Sequence, residues 1–512
     1  MPTCPRPSLR AMLRLFSCLT ALLSGPVHAA DPPTGCRYVQ IGALPIKFGG
    51  PSLQPMVDGS IDRTPARMLL DTGANRTYLT RTGTDRRNLY LRSSGGRSVT
   101  GVGGQSAVYL VRLEEFSVGP AGGGKINMGV IDSTGWTPSF DAIVGADFLM
   151  QSDLELALAD KQLKFYRPMN CKDSFLAYWD PNAMVLPVLG YGNSKVNPEV
   201  EVEINGVKLV AILDSGAAGS SITAAAAKRA GVRTDAPGVV KASSAMGVGP
   251  RRVGRWLARF DTFRIGDETI RNASIDIRES LSNLNGVDVL LGADFLRAHR
   301  VLFALSQRRV YLSYLGGTVF GRPEHGIEAW VQQEADSGNP DAAYLLAATY
   351  RAGSKVARDE AQANAWLGKA AGANHVGALL EVSRRLRAAN QAPQAVLHMR
   401  AAVAALPAEP YLAFELFLAQ TQAGEREAAK LDLARLTTPA GKGWPAPIAD
   451  YYLGRLDEAA LFKAARDDDN QAQARACQAG ASISQLYTVL GDPARAKQVR
   501  ESVLGDCRRT PD

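Results

Sequence analysis

A short motif that occurs twice constrains the fold of this chain more than any other feature. Asp71-Thr72-Gly73-Ala74 follows an apolar run, and Asp214-Ser215-Gly216-Ala217 follows another one 143 residues later. Each copy precedes a second shared signature, DAIVGADFL at residues 141–149 and DVLLGADFL at residues 288–296. Two matched motifs in the same order predict two related lobes, each of which ends an apolar strand with one aspartate.

Paired aspartates have a chemistry that one aspartate lacks. A single carboxylate is ionised at neutral pH and is a weak base. Two carboxylates about 3 Å apart cannot both ionise, so they share one proton. The ionised partner then takes a proton from a water molecule, and the protonated partner donates to a substrate carbonyl oxygen. We therefore predict that Asp71 and Asp214 form a catalytic pair, which uses water as the nucleophile and requires no metal or organic cofactor.

The other motif residues suit the support of such a pair. Gly73 and Gly216 lack a Cβ, so the backbone at these positions can turn sharply and approach a substrate closely. The hydroxyl groups of Thr72 and Ser215 can donate and accept hydrogen bonds. If the lobes meet at the motifs, we expect these hydroxyls to cross-link the two loops and to fix the distance between the carboxyl groups.

The chain resembles the retropepsin-like aspartic proteases over residues 36–316. The resemblance rests on Asp71-Thr72-Gly73-Ala74 and Asp214-Ser215-Gly216-Ala217, each with a later apolar-apolar-glycine element, Ile143-Val144-Gly145 or Leu290-Leu291-Gly292. It implies a bilobal β fold, a cleft between the lobes and hydrolysis of peptide bonds in a polypeptide substrate. Because one chain carries both lobes, it also implies an enzyme that is catalytically competent as a monomer.

Two glycine-rich stretches, residues 94–104 and 246–250, are each followed by an alternating strand. In the resembled family the equivalent region is a hairpin flap that closes over bound peptide. The resemblance therefore implies substrate contacts at six positions: Val102, Gly103, Gly104, Gly247, Val248 and Gly249. The alternative is a plain glycine-containing hairpin loop, and the sequence leaves open which lobe carries the working flap.

Other acidic and basic residues near these motifs have simpler interpretations. Asp336-Ser337-Gly338 is a third Asp-Ser-Gly match, but it lies between helical segments and is interpreted as a helix-to-turn boundary. Asp147 and Asp294 open short helices in the second signature and are assigned structural roles. An arginine cluster over residues 251–259 is interpreted as a solubilising feature of an exposed strand, and selection of acidic substrates is the alternative.

The N-terminus predicts export. Residues 1–30 combine three arginines, a short apolar stretch and the small-x-small site Val27-His28-Ala29, which together are typical of a secretory signal peptide. No other segment approaches a membrane span. Without this signal the net charge falls from +8 to +5, and no basic tract indicates nucleic-acid binding. We expect a periplasmic or secreted protein with no integral membrane segment.

Cysteine usage agrees with an oxidising compartment. Four cysteines remain after signal removal: Cys36, Cys171, Cys477 and Cys507. Three pairings are possible, and four free buried thiols are the alternative. Because Cys36 and Cys171 bracket the first lobe while Cys477 and Cys507 bracket a helical hairpin, we predict these two pairs as disulfides. The spacing does not suit zinc, because Cys-x-x-Cys is absent from the sequence.

Composition changes near residue 322, where strand-like alternation gives way to alanine-rich helical periodicity. Residues 335–371 resemble a Sel1-type repeat, and residues 408–437 and 476–504 resemble degenerate tetratricopeptide helices. Stacked helix pairs of this kind often bind peptides or proteins. We favour docking of a substrate or protein partner over a purely bracing role for this region.

The sequence thus predicts a multidomain protein with an all-β bilobal aspartic-protease-like core followed by an all-α helical-repeat domain. Four parts are expected: a signal peptide (1–30), lobe 1 (36–172), lobe 2 (180–316) and a Sel1- or tetratricopeptide-like helical region (326–512). The predicted function is that of an exported aspartic endopeptidase. The alternative is a catalytically inactive scaffold that acts as an envelope adaptor, against which two intact motifs argue, because a scaffold has no need to hold two like charges together.

Overall fold

The computed structural model of the chain describes residues 35–132, 139–190, 196–279, 286–320, 326–353, 355–407, 409–437, 443–467 and 472–508. The predicted signal peptide at residues 1–30 lies outside the described residues. An N-terminal β-rich region with two lobes is followed by a region of helices, as the sequence predicts.

Lobe 1 is built on a sheet with the strand order β6-β7-β10-β5-β11-β4-β3-β8-β9, with β2 paired to β3. Its elements are β1 Arg37–Pro45, β2 Lys47–Gly49, β3 Gln54–Ile61, β4 Thr64–Leu70, β5 Tyr78–Thr80, α1 Arg81–Asp85, β6 Arg92–Gly101, β7 Gly104–Leu113, β8 Phe116–Val118, β9 Ala121–Gly123, β10 Ile126–Ile131, β11 Ala142–Val144, α2 Ala146–Leu149, β12 Asp153–Ala157 and β13 Gln162–Met169.

Lobe 2 repeats this plan in a sheet with the order β15-β16-β21-β17-β20-β19-β18, and β15 also pairs with β19. Its elements are β14 Met184–Pro187, β15 Glu199–Ile204, β16 Val207–Leu213, β17 Ser221–Thr223, α3 Ala224–Arg229, β18 Val240–Ala245, β19 Val253–Ile265, β20 Glu268–Arg278, β21 Val289–Leu291, α4 Ala293–Arg297, β22 His299–Ala304 and β23 Arg309–Tyr314.

The same strand arrangement positions the motif in each lobe. In lobe 1, β11 lies between β4, to which it is parallel, and β5, to which it is antiparallel. In lobe 2, β21 lies between β16 and β17 with the same directions. Both inserted strands are completely buried triplets of apolar residues. Each motif aspartate therefore follows a strand whose position is fixed by a buried neighbour.

A six-stranded sheet joins the two lobes, in the order β1-β13-β12-β22-β23-β14. Its central contact is the antiparallel pair of β12 and β22, one strand from each lobe. Glu155 on β12 is fully buried there and binds Arg300 of β22 (Oε1 to Nη2, 2.6 Å). The lobes are thus connected by backbone hydrogen bonds and by a buried ion pair.

The helical region contains α5 Ala329–Asp336, α6 Pro340–Ala352, α7 Glu360–Gly372, α8 Val376–Ala388, α9 Ala392–Ala405, α10 Pro410–Gln422, α11 Arg426–Thr437, α12 Ala446–Tyr452, α13 Glu458–Arg466, α14 Ala472–Leu490, α15 Pro493–Ser502 and α16 Leu504–Arg508. Side chains cap several helix starts, among them Asn339, Asp359 and Asp492. Small residues let neighbouring helices approach closely: the buried Ser383 hydroxyl donates to the carbonyl of Ala395 across α8 and α9.

The first helices pack directly on lobe 1. The Asn339 side chain donates to the carbonyl of Phe48 (2.8 Å), and Glu334 lies buried at 2.5 Å from the Lys161 ammonium group. The ring of Trp330 packs on Phe48 at 5.5 Å between ring centroids. Buried apolar side chains form one cluster that continues from the lobes into the helices. Helices α5 and α6 therefore pack against lobe 1.

Both predicted disulfides are confirmed. Cys36 is bonded to Cys171 over a separation of 135 residues, and Cys477 is bonded to Cys507 over 30 residues. The first bond ties the start of lobe 1 to the end of β13, and the second joins α14 to α16. No helix among the described residues is long and apolar enough to cross a membrane.

We predict that loss of the Cys36–Cys171 bond by serine substitution lowers the free energy of unfolding by about 2–5 kcal/mol, because the bond restricts a long loop in the unfolded chain. The pair of Cys477 and Cys507 closes a shorter loop, so its replacement by serine is expected to cost less. Urea unfolding monitored by circular dichroism measures both effects. Equal stability of the wild type and the Cys36→Ser/Cys171→Ser variant would contradict this prediction.

Candidate active site

The structure brings Asp71 and Asp214 together at the contact between the lobes. Each follows the last residue of its strand, and its backbone N–H donates to the inserted strand: Asp71 to Val144 (3.1 Å) and Asp214 to Leu291 (2.8 Å). Both carboxyl groups are partly buried and within hydrogen-bonding reach of each other. The pairing that the duplicated motif predicts is therefore present in the geometry.

The two motif glycines are required by this approach. A Cβ added to Gly73 would lie 2.3 Å from Cγ of Asp214, and a Cβ added to Gly216 would lie 2.3 Å from Cγ of Asp71. Real side chains do not approach so closely, so any larger residue would displace the opposite carboxyl group. Glycine is needed at both positions because each carboxyl group packs directly on the backbone of the other lobe.

The hydroxyls of Thr72 and Ser215 cross-link the loops through four buried hydrogen bonds. The Thr72 hydroxyl donates to the carbonyl of Leu213 (2.7 Å) and accepts from the N–H of Ser215 (2.9 Å). The Ser215 hydroxyl donates to the carbonyl of Leu70 (2.7 Å) and accepts from the N–H of Thr72 (3.1 Å). The network is reciprocal, because each hydroxyl makes the same two kinds of bond to the loop of the other lobe. It fixes the distance between the two aspartates.

Backbone N–H groups orient each carboxyl group in the same way. Oδ1 of Asp71 accepts from Gly73 (3.0 Å) and Ala74 (2.8 Å). Oδ1 of Asp214 accepts from Gly216 (3.0 Å) and Ala217 (3.1 Å). One oxygen of each carboxyl group is thereby held by its own loop.

Burial and mutual repulsion make the two groups titrate unequally. Burial, followed by the negative charge of Asp214, raises the pKa of Asp71 well above its ordinary value. Burial also raises the pKa of Asp214, but the hydrogen bond from Asp71, the loop N–H groups and the positive charge of Arg278 oppose that rise. The pKa values of both groups are raised, so the two carboxyl groups titrate as a pair that holds one proton, and more neighbouring groups favour the ionised form of Asp214 than of Asp71.

These pKa shifts predict a pH-dependent stability. A raised carboxyl pKa means that the folded state binds more protons than the unfolded state between the ordinary and the raised value, so stability falls as pH rises through that window. Asp71→Asn removes the ionisation and is expected to raise the melting temperature at pH 7. Below the ordinary pKa of aspartate, the difference from the wild type should shrink. An Asp71→Asn variant that is no more stable than the wild type at pH 7 would contradict the assignment.

The six predicted flap residues meet in one place, at the tips of two hairpins, one from each lobe. The N–H of Gly103 donates to the carbonyl of Val248 (2.8 Å), and the N–H of Arg251 donates to the carbonyl of Gly103 (2.9 Å). The approach needs glycine: a Cβ on Gly249, which has φ +109°, would lie 2.4 Å from the carbonyl carbon of Gly103. Each lobe therefore contributes one hairpin tip to this contact.

The tips also pack reciprocally. A Cβ on Gly247 would lie 2.7 Å from Cβ of Val102, and a Cβ on Gly101 would lie 2.4 Å from Cβ of Val248. At the turn itself Gly104 has φ +96°, which favours glycine. Val248 further packs against a buried apolar cluster of lobe 1, and so does Ala74 of the Asp71 motif. The hairpin of lobe 2 thus covers the part of the cleft that belongs to lobe 1.

Two amide side chains that the sequence analysis did not identify also cross between the lobes. The Gln54 side chain donates to the carbonyl of Gly216 (2.6 Å), and the buried Asn197 side chain donates to the carbonyl of Thr72 (2.6 Å). Both residues precede a proline, and both lie 17 positions before their motif aspartate. This matched amide-proline pair was a detectable signal of a third duplicated element.

The residues assigned structural roles occupy such roles. Asp147 accepts from the N–H (2.8 Å) and hydroxyl (2.7 Å) of Thr77, and Asp294 accepts from the N–H and hydroxyl of Ser220. These contacts hold each motif loop against the short helix that follows the inserted strand. Asp336 of the third Asp-Ser-Gly ends helix α5, is exposed and lies outside the site.

No group of three or more histidine, cysteine, aspartate or glutamate side chains that could hold a metal ion occurs in the described part of the chain. The arrangement combines two carboxyl groups that share one proton, two hairpins that cover them and two motif loops that are cross-linked by hydrogen bonds. It suits activation of a water molecule for attack on a bound carbonyl group.

Two family models match segments of this chain, one in each lobe. Residues 57–148 match the family described as aspartyl protease, and residues 200–298 match the family described as gag-polyprotein putative aspartyl protease. Among solved structures, the chain is similar to the aspartic proteinase from Irpex lacteus, with 14% identity, a TM-score of 0.35 and coverage of 53% of this chain and 97% of that one. No curated protein matches the chain significantly. Each lobe thus contains a segment that matches an aspartyl protease family.

Proposed function

We propose that this protein is an exported aspartic endopeptidase that hydrolyses peptide bonds in polypeptides. The observation that carries the proposal is the position of the carboxyl groups of Asp71 and Asp214, each packed on the motif glycine of the other lobe. Matches to aspartyl protease families in both lobes support it. The two disulfides support export, because such bonds persist in oxidising compartments.

In this mechanism Asp214, the ionised partner, accepts a proton from a water molecule that lies between the carboxyl groups and the substrate. The water oxygen attacks the carbonyl carbon of the scissile bond, and Asp71 donates its proton to the carbonyl oxygen. Asp214 then donates the proton it took from water to the leaving nitrogen as the C–N bond breaks, and Asp71 takes a proton back from a hydroxyl of the tetrahedral intermediate, which restores the shared proton. The hydroxyls of Thr72 and Ser215 keep the carboxyl groups in place throughout, and the two hairpins exclude bulk water.

The direct test is incubation of the purified protein with a mixture of unfolded proteins from acid to neutral pH, followed by identification of new termini by mass spectrometry. Internal cleavage is expected, and Asp336→Asn should cleave as the wild type does, because Asp336 shares the Asp-Ser-Gly sequence but lies outside the cleft. A folded wild type that leaves every protein intact would argue for the scaffold alternative.

For the helical region, we propose a combined role in which α5 and α6 brace lobe 1 and later helices dock protein substrates or partners. The docking part rests on two large apolar side chains of those helices that are exposed, Leu397 (67% exposed) and Leu431 (73% exposed). Leu397→Asp/Leu431→Asp should slow cleavage of long unfolded proteins and leave cleavage of a short peptide unchanged. If the wild type and the variant cleave the long proteins at the same rate, and likewise the short peptide, the docking role is ruled out.

A further inference from the structure

The two lobes present the same positions to the cleft with different chemistry. In lobe 1, a buried apolar cluster lies beside the motif of Asp71 and beneath Val248 of the opposite hairpin. It consists of Met56, Leu69, Ile131, Phe140 and Ile143. In lobe 2 only three buried apolar residues form the corresponding cluster: Ile212, Val287 and Leu290. The lobe 1 wall is therefore suited to a large apolar side chain, and the lobe 2 wall has lost part of that character.

Strand register identifies what replaces Ile131 in lobe 2. Ile131 pairs with Thr80 and Arg278 pairs with Thr223, both in parallel strands. The two threonines lie nine residues after their motif aspartates, and each caps the following helix. Arg278 therefore occupies in lobe 2 the position that Ile131 occupies in lobe 1.

Arg278 points away from the core of lobe 2. The neighbouring residues Ile222 and Ile277 are fully buried in that core, and successive side chains of a strand face opposite sides. Ser221 and Arg278 thus face the side on which lobe 1 carries its apolar cluster. The charge of Arg278 also acts on the Asp214 carboxyl group and opposes the rise in the pKa of Asp214.

Two polar atoms on this face are buried without a hydrogen-bond partner among the described residues. They are Nε of Arg278 on β20 and Oγ of Ser221 on the adjacent strand β17. Because unpaired buried polar groups are costly, two such atoms on one face of adjacent strands point to a ligand that satisfies both.

Three acidic groups act on the charge of Arg278: Asp276, Asp214 and Asp294. Asp276 lies on the same face of β20, but its Oδ2 is 2.8 Å from Nη1 of Arg255. Asp294 accepts hydrogen bonds from Ser220. Asp276 and Asp294 therefore each have another partner.

We propose that Arg278 and Ser221 form a subsite for an acidic substrate side chain. The preferred substrates then carry glutamate or aspartate within two residues of the cleaved bond, on the side that binds lobe 2. On the side that binds lobe 1 they carry a large apolar residue. The inference rests on the proposed endopeptidase function. A guanidinium binds a carboxylate through two parallel N–H···O bonds, and the Ser221 hydroxyl can donate a third. The apolar cluster of lobe 1 binds the large apolar side chain of the substrate, which faces lobe 1.

The test uses one peptide scaffold with a known cleavage site and varies the flanking residues among glutamate, glutamine and lysine. For the wild type, we expect kcat/KM to be at least about tenfold higher for the best glutamate peptide than for its glutamine counterpart, because a hydrogen bond between two charged groups is roughly twice as strong as one between neutral groups. Arg278→Ile, which installs the lobe 1 residue, should abolish the preference, and Arg278→Lys should retain part of it. Arg233→Gln removes an exposed arginine of the same lobe and should leave the preference unchanged.

The ratio of kcat/KM for the glutamate peptide to kcat/KM for the glutamine peptide, measured in one sample, does not depend on the fraction of the variant protein that is folded. If Arg278→Ile gives no folded protein, the ratios measured for the wild type and for Arg278→Gln test the proposal instead. A wild type that cleaves peptides without an acidic preference, or an Arg278→Ile variant that keeps the preference, would overturn the subsite and leave the endopeptidase function standing. A wild type that cleaves no peptide would remove both.

Discussion

Asp71→Asn and Asp214→Asn are each expected to lower kcat/KM for peptide cleavage by about 10²–10⁴-fold or more, which is the range for loss of a general acid or base. Asparagine keeps the shape of the side chain, so the packing of each group on Gly73 or Gly216 is preserved. The two substitutions remove different steps: Asp71→Asn removes the proton donor, and Asp214→Asn removes the base.

Because the dyad acts as a unit, the double variant should be no slower than the slower single variant. The Asp336→Asn variant provides the matched control, since it makes the same change in the same Asp-Ser-Gly sequence on an exposed helix end. Cleavage rates measured with one peptide, on samples with native circular dichroism, separate catalysis from folding. A single variant with wild-type activity would remove that aspartate from the mechanism.

Thr72→Val/Ser215→Ala is expected to lower the free energy of unfolding of the lobes by roughly 4–8 kcal/mol. The two hydroxyls satisfy four buried backbone groups, on Leu70, Thr72, Leu213 and Ser215. Each buried backbone group left without a partner costs about 1–3 kcal/mol. Both changes nearly preserve side-chain volume, so the effect reports the hydrogen bonds and not a cavity.

Urea unfolding of the single and double variants measures this effect as a double-mutant cycle. The single variants should not add, because each hydroxyl supports the loop that presents the other. Ser98→Ala is a suitable control, since that exposed hydroxyl bonds only to the side chain of Gln105 and its loss should change stability by less than about 0.5 kcal/mol. Additive losses below about 1 kcal/mol would show that the network does not hold the lobes together.

Local chemistry explains which features the sequence could predict. Asp-Thr/Ser-Gly after an apolar strand indicates the paired carboxyl groups, because the glycine and the hydroxyl are needed wherever that approach is made. Asn205-Gly206 between β15 and β16 adopts positive φ at both residues, as this dipeptide favours in a two-residue turn. The disulfides could be predicted because Cys36 and Cys171 bracket a duplicated unit.

Features that depend on contacts between distant segments were not predictable in the same way. The pairing of β12 with β22 joins strands from different lobes, and neither strand carries a residue type that specifies its partner. Arg278 was missed because a cation in an alternating strand is usually solvent-exposed, and only strand register places it at the position of Ile131. The meeting of the two hairpin tips depends on backbone contacts, which residue types do not encode.

The pH dependence of kcat/KM for wild-type cleavage of one peptide tests the central claim most directly, because it reports ionisations of the free enzyme. If Asp71 and Asp214 share one proton, the profile is bell-shaped. It rises with the first ionisation of the dyad and falls with the second, and the raised pKa of Asp71 places that falling limb above the ordinary range for aspartate. A rate that stays constant across the acid and neutral range, or a folded protein that cleaves nothing in it, would contradict the account.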